Sequence, residues 1–412
     1  MSERRVVVTG IGAVSAIGHN IEQNRASLKA GRHGIDVIKS MDIEGQKVIM
    51  GAEVKDFEYE DKREAKRLDF FAQFGLTAAK EAIEMSGLIA GENIDPHRIG
   101  SYVGSGIGGI RTFETESNKV REKASVRGVS ALLVPMLMGN ILPAMITIKN
   151  GYKGSSIDIV SACASSTHSV GEAARAIKHG YLDAIVCGGA ESTFVPVSFA
   201  GFANMKAMNP TTDKDRASIP FDKDRAGFIM GEGAGILMIE ELEHAKSRGA
   251  NILAEAAGYG TSSDAYHITQ PSPDGEGAAA SMQMALDSAG IRPEDISYIN
   301  AHGTSTPMND LYETRAIKNV FAGAAYKIPV SSTKSMTGHM LGAAGGYESV
   351  VCVLAITDGI IPPTASYRTP DAELDLDYVT EGARKADVRY TLSNSLGFGG
   401  HNGSILFRRY EG

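Results

Sequence analysis

The sequence predicts an α/β protein built from two similar halves, 1–251 and 252–412, and three observations carry this. Short β-branched runs alternate with amphipathic helical stretches along the chain. A second cycle of that alternation begins near residue 252 and resembles the first. Glycine, with 47 residues, collects in the connections. At 412 residues with 43% hydrophobic content, the chain can bury a large core.

In the first half the strand-like run RRVVVTG precedes a helical stretch from Asp69 to Ser86. The strands IGSYVGSG and SIDIVSA follow, then a helix over Ser166 to His179 and the strand AIVCGGA. The second half opens with NILAEAAGYG and a helix from about Gly277 to Ala289. It continues with the strand ISYINAHG, a helix over Asp310 to Phe321 and the strand KIPVSST. In each half a strand runs into a loop of reactive or small polar residues and then into a helix: DIVSACASSTHSVGEAARAIKHG and YINAHGTSTPMNDLYETRAIKNV.

Charge and cysteine content narrow the function. A formal net charge of -8 argues against a general nucleic-acid binder, which needs clustered cations for phosphate neutralisation. The three cysteines, Cys163, Cys187 and Cys352, form no CxxC or Cys/His spacing, so neither a disulfide framework, a metal site nor a metal cofactor is expected. MSERRVVVTGIG carries no apolar signal core, and the expected location is cytoplasmic. The most apolar window, Leu132 to Ile148, is too short for a bilayer and is broken by Pro135, Asn140 and Pro143, so a buried or interface segment is expected and no membrane partner. Two glycine-rich runs, VVVTGIGAVSAIG and VGSGIGG, lack the GxGxxG context of a nucleotide site, so no organic cofactor is indicated.

The chemistry-bearing segments come next. Cys163, in SACASS, sits between an apolar strand and a helix, where unpaired N–H groups and the positive dipole end are expected to favour thiolate. It reads either as a nucleophile or as a small buried cysteine. His302, in NAHGTSTPMND, lies where a strand ends and could donate to a developing oxyanion; an ordinary loop histidine is the alternative. His339, in SSTKSMTGHMLGAAGG, lies beside Lys334 and among glycines that let a helix approach other backbone closely. Phe398, between glycines in SNSLGFGGHNGS, marks either a tight turn or a movable gate.

Taken together, SACASS, NAHGTSTPMND, KSMTGHMLGAAG and NSLGFGGHN resemble the β-ketoacyl-acyl-carrier-protein synthases over essentially the whole chain. The match is most similar to the synthase II type, because GSGIGG carries Ile107 where that type has an isoleucine at the end of its acyl pocket. The resemblance implies a thiolase-like five-layer αβαβα fold with two duplicated halves, a homodimer, and an acyl carrier protein as partner.

The resemblance also implies roles, residue by residue. Cys163 would receive the acyl chain as a thioester. His302 and His339 would hold the malonyl thioester carbonyl and stabilise the enolate formed as carbon dioxide leaves. The N–H groups of Cys163 and Phe398 would form an oxyanion hole. Lys334 would organise the histidines with Glu348 as partner, and Asp310 and Glu313 would give structural support. Thr304 and Thr306 would bind the phosphopantetheine arm, while Ile107, Leu133, Phe202 and Phe398 would contact the acyl chain. Leu133 is expected to reach in from the partner subunit. No metal or other cofactor is needed for this chemistry.

Carrier docking is expected at Lys62, Arg63, Lys66, Arg67, Arg127 and Lys206, although such a charge run also reads as a solvated helix face. Met308 and Asn309 stand where relatives often carry smaller residues, and Leu132 and Leu133 where many carry aromatics. Both departures bear on acyl length. A synthase I-type or polyketide ketosynthase is the nearest rival, and a non-catalytic chain-length subunit would lack the nucleophile. A degradative thiolase would need a second cysteine as base, whereas Cys352 lies in the helix-like apolar stretch ESVVCVLAI.

Overall fold

The computed structural model describes residues 4–412. Ten strands form the main sheet, and five of them belong to the first half: β1 (Val6–Ser15), β2 (Ile99–Gly104), β3 (Ser156–Ile157), β4 (Ala184–Glu191) and β5 (Gly233–Glu241). Five more belong to the second: β6 (Ala254–Ser263), β7 (Tyr298–Asn300), β8 (Val330–Ser331), β9 (Tyr390–Gly397) and β10 (His401–Arg408). From the junction outward the orders are β1-β5-β4-β2-β3 and β6-β10-β9-β7-β8, so each strand of one half has its counterpart in the other. In both halves the inner pairs are antiparallel and the outer pairs parallel. The halves join where β1 pairs with β6 over Val7↔Glu255 and Val8↔Ala254.

Helices fill the layers around these sheets. Helix α1 (Phe70–Ser86) covers the outer face of β1, β4 and β5, and α2 (Ser165–Lys178) the inner face. In the second half α3 (Glu276–Ala289) covers β6 and β10 and packs on α4 (Pro307–Phe321), while α5 (Ala344–Asp358) lies inside against α2. The result is the thiolase-like αβαβα arrangement. Helix α5 touches strands of both halves and is buried on every side, which explains why it reads as apolar all round rather than as one stripe. By length and composition the window Leu341–Asp358 could cross a membrane, but 89% of it is buried inside the fold.

The glycine run in β1 is a packing device. A Cβ on Gly10 or Gly12 would stand 1.9 Å from the carbonyl oxygen of Ala82 or Ala78, so α1 can lie on the strand only where side chains are absent. In the central layer a Cβ on Gly345 would stand 1.8 Å from Thr167 Oγ1, and Gly346 N–H donates to Ser166 Oγ at 2.7 Å. The first turns of α2 and α5 therefore touch, which brings SACASS and TGHMLGAAGG together.

Several boundaries differ from the sequence expectation. SIDIVSA is strand only at Ser156–Ile157, where both residues are exposed on the sheet edge. Helix α4 starts earlier, at Pro307, since proline needs no N–H partner in a first turn. The Leu132 to Ile148 window breaks into the helices Leu133–Leu137 and Ile141–Asn150; Leu142 and Ile146 are buried, while Val134, Met138 and Ile148 are exposed.

Candidate active site

Cys163 occupies a short turn, Ala162–Ala164, that opens α2. Ala162 adopts φ 51°, a left-handed conformation unfavourable for a residue with a Cβ. The turn is fastened from beneath. Ser161 N–H donates to Ser165 Oγ at 2.9 Å, Ser165 Oγ donates to the Ala162 carbonyl at 2.7 Å, and Ser161 Oγ lies 2.6 Å from His168 Nδ1. Strain held by such contacts is characteristic of functional turns.

The expectation of a ready thiolate is corrected. Cys163 is only 6% exposed, and burial pushes its thiol up to about 11. The Lys334 charge and the N–H groups of Phe398 and Cys163 pull the other way but are outweighed. Desolvation of the sulfur opposes the helix N-terminus, which gives a neighbouring base a part in accepting the proton when the sulfur attacks.

Two histidines are placed to do so. His302 follows β7, and α4 pins its loop: the N–H groups of His302 and Gly303 donate to the two oxygens of Glu313 at 2.7 and 2.8 Å. One turn earlier on α4, Asp310 accepts from Phe221 N–H at 2.9 Å and Ser305 N–H at 3.2 Å. His339 is held by its backbone, which donates to Ile229 O at 2.7 Å and accepts from Gly231 N–H at 2.9 Å. The imidazoles meet edge to face with centroids 5.2 Å apart. The sulfur of Cys163 and one nitrogen of each ring all lie within 4.8 Å of one another.

Burial, reinforced by the Lys334 charge, holds both imidazoles well below the ordinary histidine value. They are therefore neutral at pH 7. Each offers one N–H donor and one lone pair, which suits stabilisation of an enolate and receipt of a thiol proton. Lys334 is itself buried and ion-paired with Glu348 on α5. Burial pushes the Glu348 carboxyl up to about 7, and Lys334 pulls it down.

These groups open into a cavity of about 310 Å³ lined by Cys163, His302, His339, Phe202, Leu341 and Phe398, with Thr304, Thr306 and Lys206 also on its wall. Thr304 and Thr306 present hydroxyls 2.9 Å apart. Phe398 stands in the three-residue turn between β9 and β10, where Gly399 and Gly400 take φ of 87° and 74°, and its ring lies 6.4 Å from that of Phe202. The residue before it, Gly397, passes so near the nucleophile that a Cβ there would be 3.3 Å from Cys163 N.

The remaining expected residues lie off this cavity. Ile107 is 39% exposed on the turn after β2, and Leu133 begins the helix Leu133–Leu137, whose Leu137 carbonyl accepts Gly109 N–H at 2.9 Å. Lys62 and Arg63 lie on the helix Lys62–Ala65, Lys66 and Arg67 just after it, and Arg127 in the turn Val126–Gly128. Of the six expected docking cations, Lys206 alone lines the cavity. Reading the sequence overlooked Phe228, whose ring meets His339 edge to face at 5.4 Å, and Leu341, which packs with Cys163. Phe228 belongs to no quoted motif and Leu341 sits inside KSMTGHMLGAAG without a role of its own there; contact across the fold is what singles them out.

Comparison with known proteins agrees with this geometry. Residues 3–245 match the family Beta-ketoacyl synthase, N-terminal domain, and residues 253–368 match Beta-ketoacyl synthase, C-terminal domain. The chain belongs to the beta-ketoacyl synthases. This beta-ketoacyl synthase is 47% identical over 411 residues to 3-oxoacyl-[acyl-carrier-protein] synthase 2 of Staphylococcus aureus, covering 99% of each chain. It is 46% identical over 415 residues to the protein of the same name from Synechocystis, covering 100% of this chain and 99% of the other. Among solved structures it superposes on the ishigamide ketosynthase/chain length factor with TM-score 0.93 at 35% identity, covering 99% and 100% of the two chains. A type II PKS ketosynthase in complex with its acyl-carrier protein matches with TM-score 0.93 at 32% identity over all of both chains.

Proposed function

We propose that this beta-ketoacyl synthase is a 3-oxoacyl-acyl-carrier-protein synthase of the second type. It condenses an acyl thioester with malonyl-acyl-carrier-protein in fatty-acid elongation, giving 3-oxoacyl-acyl-carrier-protein and carbon dioxide. The observation that carries this reading is the convergence of Cys163, His302 and His339 within 4.8 Å at the end of an apolar cavity.

In the first half-reaction the Cys163 sulfur attacks the acyl thioester carbonyl. Its proton passes to a neutral imidazole, and the carrier thiol leaves protonated. The N–H groups of Cys163 and Phe398 receive the tetrahedral oxyanion; one such donor is worth about 10²- to 10³-fold in rate. In the second, the malonyl carboxylate departs as carbon dioxide and leaves the electron pair as an enolate. Two imidazole N–H groups in a dry site stabilise its oxygen. The carbanion attacks the acyl carbonyl, a carbon–carbon bond forms, and the carbon–sulfur bond to Cys163 breaks. Lys334, fixed by Glu348, adds to burial in keeping both imidazoles neutral; Asp310 and Glu313 hold the His302 loop. Thr304 and Thr306 bind the phosphopantetheine arm, and Phe202 and Phe398 line the acyl path.

The chain divides functionally into 1–251, with the nucleophile and acyl pocket, and 252–412, with the histidines, Lys334 and the Phe398 gate. A cytoplasmic homodimer formed across the β3 edge is consistent with the exposed apolar residues Val134, Met138, Ile148, Ile157 and Val160. Leu133 would then approach the partner's acyl pocket. Lys62, Arg63, Lys66, Arg67, Arg127 and Lys206 would receive an acidic carrier helix. Acyl carriers of graded length should leave an adduct on Cys163 by intact mass, and added malonyl carrier should convert it to the ketoacyl product. Product without any Cys163 adduct would overturn the reading.

A further inference from the structure

Glu191 ends β4 and is fully buried, and its carboxylate gathers two turns that are far apart in sequence. Oε2 accepts from Gly106 N–H at 2.7 Å and Gly342 N–H at 3.0 Å. Oε1 accepts from the Ser105 hydroxyl at 3.0 Å and Ile107 N–H at 3.2 Å. Ser105 Oγ in turn accepts Gly108 N–H at 3.0 Å. The two turns meet backbone to backbone: a Cβ on Gly342 would stand 2.3 Å from the nitrogen of Gly106 and 2.7 Å from Glu191 Oε2. One turn carries Ile107, and the other begins with Leu341, which lines the cavity two residues after His339.

The second turn, Leu341–Ala343, is the counterpart of Ala162–Ala164. Each opens the central helix of its half, and each starts with a non-glycine residue in the left-handed region, Ala162 at φ 51° and Leu341 at φ 46°. Gly342 therefore matches Cys163. The N–H of Cys163 lies against its own sulfur, whereas the Gly342 N–H is occupied by Glu191.

We infer that Glu191 is a specificity-positioning residue: it clamps the Ile107 turn to the Leu341–Ala343 turn, so that the acyl gate and the wall beside Cys163 hold one fixed separation. This rests on reading Ile107 as the acyl gate. Burial pushes the Glu191 carboxyl up to about 7, and its four donors pull it down; once ionised it accepts all four, whereas an amide of the same shape offers one acceptor oxygen and turns an NH₂ toward the rest. Glu191→Gln therefore loosens the clamp without changing side-chain size.

The experiment measures acyl transfer to Cys163 over a series of carrier-bound chain lengths for wild type, Glu191→Gln, Ser105→Ala and Ile107→Phe. Glu191→Gln should flatten the length profile, shrinking the ratio of fastest to slowest substrate by roughly 10-fold, as loss of buried charge-assisted hydrogen bonds implies. Ser105→Ala, which removes one donor to Glu191 and the acceptor of Gly108 N–H, should flatten it by about 2- to 3-fold. Ile107→Phe should suppress long chains and spare short ones. An equal drop at every length in Glu191→Gln, or no change, overturns the inference. If Glu191→Gln does not fold, an unaltered Ser105→Ala profile overturns it instead. An unaltered profile in Ile107→Phe alone refutes the gate reading and leaves any Glu191 effect to stand separately.

Discussion

The Ala162–Ala164 turn and the Leu341–Ala343 turn each start with a left-handed residue and open a central helix, yet they have opposite uses. Both follow the edge strand of their half and end at the N-terminus of a central helix. In the first, Cys163 lines the cavity, and the proposed mechanism uses its N–H for the acyl oxyanion. In the second, a glycine stands where the nucleophile would be, and a carboxylate fills the matching N–H. The two halves carry matching turns; the proposed mechanism keeps one open for a transient oxyanion, while a carboxylate occupies the other.

The largest effect expected from breaking this difference is at the sulfur. Cys163→Ala should abolish acyl labelling and lower condensation by at least about 10³-fold, as removal of a covalent nucleophile does. Cys187→Ala and Cys352→Ala should still label, because both are buried away from the cavity. Intact mass after exposure to acyl carrier decides this; an adduct surviving on the Cys163→Ala protein would contradict the assignment.

Next in size are the histidines. His302→Ala and His339→Ala should each slow malonyl decarboxylation by about 10²- to 10³-fold, while at least one variant still accepts an acyl group. Carbon dioxide release and adduct mass report the two half-reactions separately. Wild-type decarboxylation in both variants would remove the histidines from the mechanism.

The closed turn should be intolerant of a side chain. Gly342→Ala forces a Cβ against Gly106 and Glu191, and overpacking of this kind costs about 1–3 kcal/mol, readable as a lower denaturation midpoint. A midpoint equal to wild type would mean that the two turns are not held in contact.

Charge reversal at Lys66, Arg67 and Arg127 should raise the carrier KM by about 3- to 10-fold with little change in kcat, and added salt should imitate it. Small thioester substrates should be indifferent. Equal losses with both substrate types would exclude docking as the cause.

The smallest effect belongs to the open turn. Ala162→Gly relieves a left-handed alanine but frees the unfolded chain, so stability should move by less than about 1 kcal/mol. A larger loss would show that the Ala162 methyl group contributes packing that its φ alone does not reveal.

The sequence by itself determined the element types, the repeat of the α/β cycle and the segments that carry Cys163, His302, His339, Lys334 and Phe398. Those follow from local physics: periodicity chooses strand or helix, and small residues at strand-to-helix junctions leave backbone accessible. Tertiary structure alone decided the protonation of the site. Cys163 looked activated from its place before α2, yet the surrounding fold dries it enough that desolvation prevails. It also decided the meaning of Gly10, Gly12 and Gly106, which lie in glycine-rich runs without a nucleotide-site context and prove to be points of close backbone approach, and it identified the backbone that Gly342 approaches. Glu191 was invisible in the sequence for the same reason. Its four donors come from turns on either side of it in the chain, and burial and hydrogen bonding are sums over neighbours that only the folded molecule brings together.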